Sequence, residues 1–169
     1  MKRLAMAMAI GALMACSDNS PTAPTPPANV AGDYSATITA SSTCSANLPA
    51  AAWVLGFSAT ITQTGSAAQV QLVAHMPGAP STTVSGTVSG QTVNFPTFSL
   101  NETMGGGAAL AASGNATVAA NGDIAGSLSG TYQTSSGSSC NAANHELKLV
   151  KLCPKQTNNV IALVPCGTV

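Results

Sequence analysis

The stretch FSATITQTGSAAQVQLVA, residues 57–74, contains the clearest structural signal in this chain. Apolar side chains recur at every second position on both sides of a central turn signal, QTGS at residues 63–66. A period of two places these apolar side chains on one face of an extended strand. They are Phe57, Ala59, Ile61, Val70, Leu72 and Ala74. The stretch therefore predicts an antiparallel hairpin with one apolar face.

The same alternation recurs along the chain from residue 30 to about residue 152. Further segments lie near residues 34–40, 84–88, 93–95, 118, 124–132 and 145–152, with turn signals SGQ at 89–91 and NGD at 121–123. This spacing indicates an all-β domain of about eight to ten short strands. A sheet with one apolar face needs closure or a second sheet. We predict a single antiparallel meander barrel, with a β-sandwich as the alternative.

One segment departs from the strand pattern. Asn47 is a capping residue, Pro49 follows in the first turn, an alanine run continues, and Gly56 ends the segment. One short helix is expected here. Trp53 is expected to pack this helix on the barrel, and a lid over a ligand is the alternative.

This order of a strand, a short helix and a meander resembles the small β-barrels of lipocalin-like bacterial lipoproteins. Gly32-Asp33-Tyr34 resembles the Gly-x-Trp opening of lipocalins, with tyrosine in place of tryptophan and no downstream arginine motif. The resemblance therefore implies a fold and no particular ligand.

The amino terminus is typical of an export signal. A short apolar run follows Lys2 and Arg3, and Leu13-Met14-Ala15-Cys16 resembles the lipobox of bacterial lipoproteins. The resemblance implies removal of residues 1–15 and acylation of Cys16, a palmitate-type modification. Ser17 is compatible with transport to the outer membrane. The alternative is a secretory signal cleaved elsewhere, which leaves the chain free in the periplasm or medium.

Residues 16–29 are rich in proline and contain no aliphatic side chain larger than alanine after Cys16, so they predict an extended tether. Residues 30–169 form the predicted barrel domain with a carboxyl-terminal tail. Charged residues make up only 6% of the chain, five basic and five acidic, whereas about 25% is usual. No basic stripe is present, so no nucleic-acid partner is expected.

Four cysteines remain besides Cys16, and an exported chain is expected to pair them. Three pairings are possible. We favour Cys44 with Cys140, because a closed meander would bring their serine-rich segments together, and Cys153 with Cys166, which would pin the tail. No paired spacing of cysteine or histidine indicates a metal site.

Residues that could carry chemistry are scattered. His75 and His145 are expected at the surface, and the acidic residues stand singly in turns or at strand ends. The chain lacks the Gly-x-Ser-x-Gly motif of a nucleophile elbow. We therefore expect no enzyme activity, no catalytic residues and no cofactor.

The sequence predicts a non-enzymatic lipoprotein of the bacterial envelope, held to the membrane by its lipid and acting as a binding or structural module. An envelope protein is a possible partner. The alternative is a carrier for a small apolar ligand, because many residues expected inside are small. These are Ala36, Ala40, Ala59, Ala74, Gly86, Gly126 and Gly130. Enlarging Gly126 is expected to block a ligand cavity or to overpack a filled core.

Overall fold

The computed structural model describes residues 25–75, 80–102, 108–157 and 160–167, most of which lie in β-strands. The lipobox, residues 17–24 of the tether and the terminal residues 168–169 lie outside the described residues. The strands are β1 Gly32–Thr39, β2 Val54–Thr64, β3 Ala67–Ala74, β4 Ser81–Ser89, β5 Thr92–Glu102, β6 Ala108–Val118, β7 Ile124–Thr134, β8 Ser139–Thr157 and β9 Val160–Pro165.

Each strand pairs antiparallel with the next one in the chain, and β1 also pairs with β8. The contact between β1 and β8 runs from Asp33 opposite Leu152 to Thr39 opposite Glu146. Eight strands therefore form a closed meander barrel, and β9 is added outside it on β8. The predicted barrel is confirmed, and the alternative of a sandwich is wrong because the first and eighth strands pair with each other.

The two ends of the barrel differ in how the strands are connected. At the end where β1 begins, tight turns contain Gly65, Gly90 and Gly122, whose φ angles are 59°, 54° and 86°. Such positive angles suit glycine, which explains the turn signals in the sequence. We call this the tether end. The opposite end, the loop end, includes the connections at residues 40–53 and 135–138.

The interior is built by the alternation that the sequence predicts. Side chains at every second position of the strands are buried, and they form a single hydrophobic cluster. The largest fully buried apolar side chains are Tyr34, Ile38, Leu100, Leu110, Ile124, Leu128, Tyr132 and Leu149. The small residues expected inside are buried or half-buried in the barrel as well.

Two bulges shift this alternation. In β5, Phe95 lies opposite Gly114 while Phe98 lies opposite Ala112, so β5 has one extra residue. In β8, one extra residue between Ala142 and His145 has the same effect against β7. The inward-pointing residues therefore have odd numbers on one side of each bulge and even numbers on the other.

The inward side of β6 and β7 contains a glycine in each of three successive pairs, which we call the β6–β7 seam. The pairs are Ala112 with Gly130, Gly114 with Leu128, and Ala116 with Gly126. A Cβ atom added at Gly126 would collide with the Asn115 carbonyl oxygen and come within 2.7 Å of Ala116 Cβ. Enlarging Gly126 therefore displaces the neighbouring strand, so the overpacking expected of a filled core would arise between β6 and β7.

The predicted short helix is a 3-10 turn at Ala50–Ala52, and a second 3-10 turn lies at Ser42–Cys44. Trp53 follows the first of these turns, half-buried against the core cluster, and its indole nitrogen donates to the Leu48 carbonyl at 3.0 Å. The indole thus contacts the core cluster and uses its N–H within the connection. The position of Trp53 agrees with its expected role of attaching this connection to the barrel.

Candidate functional site

The chain enters the barrel at the tether end through a set of specific hydrogen bonds. Ala28 donates from its backbone nitrogen to Gly90 at 2.7 Å. The Gln63 side chain donates to the Ala28 carbonyl at 3.0 Å and accepts from the Val30 nitrogen at 2.8 Å. Val30 itself is fully buried. The chain is therefore attached to the barrel from Ala28 onward.

Tyr34 and Lys151 cover the interior at this end. They are opposite each other in the β1–β8 ladder, and the Lys151 amine lies 5.8 Å from the centre of the Tyr34 ring. The Tyr34 hydroxyl donates to the Val30 carbonyl at 2.8 Å. The Lys151 backbone nitrogen donates to the Asp123 carboxylate at 2.8 Å, which links β8 to the β6–β7 turn.

The phenol of Tyr34 is held neutral by its surroundings. Burial raises the pKa of Tyr34 from its ordinary 10.0 to about 12, and the negative charge of Asp123 adds to the effect. Because the folded state holds this proton more tightly than the unfolded chain, the associated stability is complete below pH 10. It is lost as the pH rises through about 12.

Tyr34→Phe is expected to change both stability and its dependence on pH. Near neutral pH the variant loses the hydrogen bond to Val30, which costs about 1 kcal/mol of unfolding free energy. Between pH 10 and about 12 the wild type should lose stability more steeply than the variant, since only the wild type has this phenol to ionise. Thermal unfolding of both proteins across this range measures the difference. Parallel curves would show that Tyr34 ionisation does not contribute.

His145 lies at the loop end and corrects the expectation of a surface histidine. It is fully buried, its Nδ1 accepts from the Ser41 backbone nitrogen at 3.1 Å, and its Nε2 lies 3.1 Å from the Gly130 carbonyl. The Nδ1 acceptor role leaves Nε2 to donate to Gly130, as in a neutral imidazole. His145 therefore joins the 40–53 connection to β7. His75, in contrast, is exposed as expected.

The side chains next to His145 are hydrogen-bonded to the 40–53 connection and to neighbouring strands. Tyr132 packs against its ring with centroids 5.2 Å apart and donates its hydroxyl to the Ile38 carbonyl. The Ser41 hydroxyl donates to the Asn144 side chain at 2.7 Å, whereas the bond from Ser41 to His145 comes from its backbone nitrogen. These bonds fix the connection over the loop end of the barrel.

An apolar cavity of about 20 Å³ lies in the barrel interior. Its lining is Ala36, Ile38, Val70, Leu72, Val84, Phe95, Phe98, Leu147 and Leu149. This volume corresponds to about one water molecule, whereas ligand sites typically have roughly 300–1,000 Å³. An apolar cavity of this size gives a water molecule no hydrogen-bond partners, so we expect it to be dry.

A larger depression lies outside the barrel at the tether end. This groove has a volume of about 460 Å³. It is lined by Ala28, Asn29 and Gln91, by residues 118–122, and by Lys151, Cys153 and Cys166. The charged residue in this lining is Lys151, whose amine lies over Tyr34. The groove thus separates the entering chain from the segment that leaves the barrel.

Asp33 and Asp123 bond within a strand pair and a turn, whereas Glu146 lies inside β8 and not in a turn or at a strand end as expected. Asp33 accepts from Thr60 at 2.8 Å, and Asp123 bonds Asn121 within the turn. Within the described ranges, no three histidine, cysteine or acidic side chains are grouped so that they could hold a metal ion. Nor does the described part of the chain contain a helix long and apolar enough to cross a membrane.

The cysteines are paired as predicted. Cys44 is bonded to Cys140 across 96 residues, and Cys153 to Cys166 across 13. The first bond lies at the loop end and the second at the tether end. Cys16 is outside the described residues, so its acylation stays a prediction.

The fold defines this protein as a small, closed, eight-stranded antiparallel β-barrel with one additional strand. Comparisons with protein-family models, curated proteins and solved structures gave no match.

Proposed function

We propose that this protein is a non-enzymatic lipoprotein of the bacterial envelope, whose barrel is a filled scaffold that binds or supports other envelope components through its surface. The lipobox at residues 13–16 and the tether that follows it support the anchor. The observation that carries the scaffold is the 20 Å³ apolar cavity in the interior, which is too small for a carried ligand.

The attachment of the chain supports the same proposal. A hydrogen bond to the Gly90 carbonyl and one from the Gln63 side chain fix Ala28 at one end of the barrel, so a lipid on Cys16 would present a defined end to the membrane. The opposite end and the outer surface would then face the periplasm or the medium. Two acyl chains or more would give stable anchoring.

Cys16→Ala is expected to move the protein from the membrane fraction to the soluble fraction. The wild type should incorporate labelled palmitate and resist a salt wash, because its acyl chains are buried in lipid. Ser17→Ala is the matched control, since it changes the next residue and keeps the thiol. The melting temperature of the released variant should equal that of the wild-type barrel. A Cys16→Ala protein that stays with the membrane after the wash would contradict the anchor.

The carrier remains the second candidate function, because the inward residues include many that are small. Its test is uptake of an apolar fluorophore by the purified wild-type protein. We expect no saturable binding, since this cavity of about 20 Å³ is far smaller than the roughly 300–1,000 Å³ typical of ligand sites. Saturable binding at a single site would favour the carrier.

A further inference from the structure

The last two strands form a ribbon that extends beyond the barrel. β8 pairs with β1 only as far as Leu152, and from there to Thr157 it pairs with β9. We use "the ribbon" for residues 152–157 and 160–165. Three of its apolar side chains are among the most exposed in the described chain, namely Val160 at 64%, Ile161 at 69% and Leu163 at 53%.

The register places five apolar side chains of the ribbon on one face, whereas Val160, Ala162 and Val164 lie on the other. Leu152 is opposite Pro165, Pro154 opposite Leu163, and Gln156 opposite Ile161. Because residues two apart in a strand share a face, these six lie together. We call this the apolar face, since Gln156 is its one polar member among the described residues. An unpartnered apolar face on a soluble domain usually marks an interaction site.

The edges of the ribbon are unsuited to adding another strand. The Cys166 nitrogen donates to the Lys151 carbonyl, so Leu152–Pro165 and Pro154–Leu163 are the alternating pairs without ladder bonds. The nitrogens of Pro154 and Pro165 therefore point to the two outer edges, where a proline offers no hydrogen. A partner would therefore contact the ribbon through a face and not by adding a strand at one of its edges.

The ribbon and the entering chain lie at the same end of the barrel. Ala28 and Asn29 form one wall of the 460 Å³ groove, and the Cys153–Cys166 disulfide at the base of the ribbon forms another. If extended, the stretch from residue 16 to residue 25 would reach about 28 Å at roughly 3.1 Å per residue. The 6 residues of β9 extend about 20 Å at roughly 3.3 Å per residue. The ribbon is therefore long enough to approach the surface that holds the lipid.

We propose that the apolar face of the ribbon inserts into the lipid surface in which the acyl chains of Cys16 are embedded. The ribbon acts as a second contact that orients the barrel on the membrane. This inference rests on the proposed lipid anchor. Lys155 is the charged residue of the ribbon, and no acidic residue is present in it to repel anionic headgroups. Residues 17–24 are a poorer occupant of this face, because they contain no aliphatic side chain larger than alanine.

Tryptophan fluorescence provides the test, because the chain contains a single tryptophan, Trp53, at the loop end. The probe protein carries Ile161→Trp in a Trp53→Phe background, and Leu163→Trp in that background is a second version. The control is the wild type with its native Trp53. Each protein is isolated from membranes in its processed form, with the whole chain from Cys16 onward. It is then reconstituted into phosphatidylethanolamine–phosphatidylglycerol vesicles, with ordinary or brominated acyl chains. Flotation of the same samples measures anchoring independently of the ribbon.

The proposal predicts that every protein floats with the vesicles. Bromine should lower the fluorescence of both ribbon probes by about twofold or more, because an interfacial segment is buried roughly 5–10 Å into the acyl boundary. Trp53 should change little. Proteins that float without quenching of either ribbon probe would overturn the lipid contact while leaving the anchor intact. If those proteins also cross-link as dimers through the ribbon, a second copy covers the face instead. Proteins that do not float would overturn the lipid anchor, and the ribbon contact with it.

Discussion

Gly126→Ala is expected to destabilise the barrel strongly, although it adds only one methyl group. The added Cβ would meet the Asn115 carbonyl and the Ala116 backbone across the β6–β7 seam, and backbone cannot rotate away as a side chain can. Overpacking of this kind costs about 1–3 kcal/mol of unfolding free energy, and leucine at the same position should cost more. Urea unfolding of the purified protein measures the loss.

Gly56→Ala is the matched control for this seam. Gly56 also lies in a strand, but a Cβ there would meet His75 Nδ1 at 3.6 Å, an ordinary contact with an exposed side chain. Alanine also reduces the freedom of the unfolded chain, so this variant should be neutral or more stable by about 0.4–1 kcal/mol. Equal losses in the two variants would contradict the tight packing assigned to the seam.

Loss of the Cys44–Cys140 disulfide is expected to have a still larger effect. This bond closes a segment of 96 residues, which on the chain-entropy account corresponds to about 4.7 kcal/mol for a loop of roughly that length. Both cysteines are buried where the 40–53 connection meets the start of β8. The double variant Cys44→Ala/Cys140→Ala, which leaves no free thiol, should therefore lose about 2–5 kcal/mol in urea unfolding.

The second disulfide offers the comparison. Cys153 lies in β8 just beyond its last pairing with β1, and its partner Cys166 directly follows the ribbon, so this bond lies outside the ladders that close the barrel. Cys153→Ala/Cys166→Ala should therefore release the ribbon and shift the main unfolding transition less than the first double variant does. Faster amide hydrogen exchange confined to residues 152–166 would report the local release. A larger loss of barrel stability from this pair would contradict the assignment of the ribbon as peripheral.

The barrel and its disulfides could be predicted because their signals are local in the sequence. Alternating apolar residues define the strands, and glycines at residues 65, 90 and 122 mark turns with positive φ. Once the strands form a meander, closure brings the segments of Cys44 and Cys140 together. These inferences need the order of the strands and not their detailed register.

His145 was predicted wrongly although its sequence contained a signal. In HELKL, residues 145–149, His145 lies on the same strand face as Leu147 and Leu149, because these residues are two apart, and both leucines are buried. Alternation alone would have placed the imidazole inside. Its partners, the Ser41 nitrogen and the Gly130 carbonyl, are backbone groups, and no side-chain pattern in the sequence indicates them.

The seam and the ribbon depend on register, which the sequence leaves open. That Gly126 lies opposite Ala116 follows only once the pairing of β6 with β7 is known. VIALVP, residues 160–165, has the composition of a buried strand, yet β9 is mostly exposed. Within the barrel β8 already pairs with β1 and β7, so β9 is added outside it. The apolar face of the ribbon is therefore visible only in the folded structure.

A native mass spectrum of the wild-type protein, extracted in mild detergent from membranes of a bacterium that processes lipoproteins, tests the lipid anchor and the filled barrel together. We expect a chain of residues 16–169 with acyl groups attached covalently at Cys16 and both disulfides intact. We also expect no apolar molecule bound non-covalently in the barrel. A chain without acyl groups that begins at another residue would contradict the anchor, and a bound apolar ligand at one per barrel would contradict the filled scaffold.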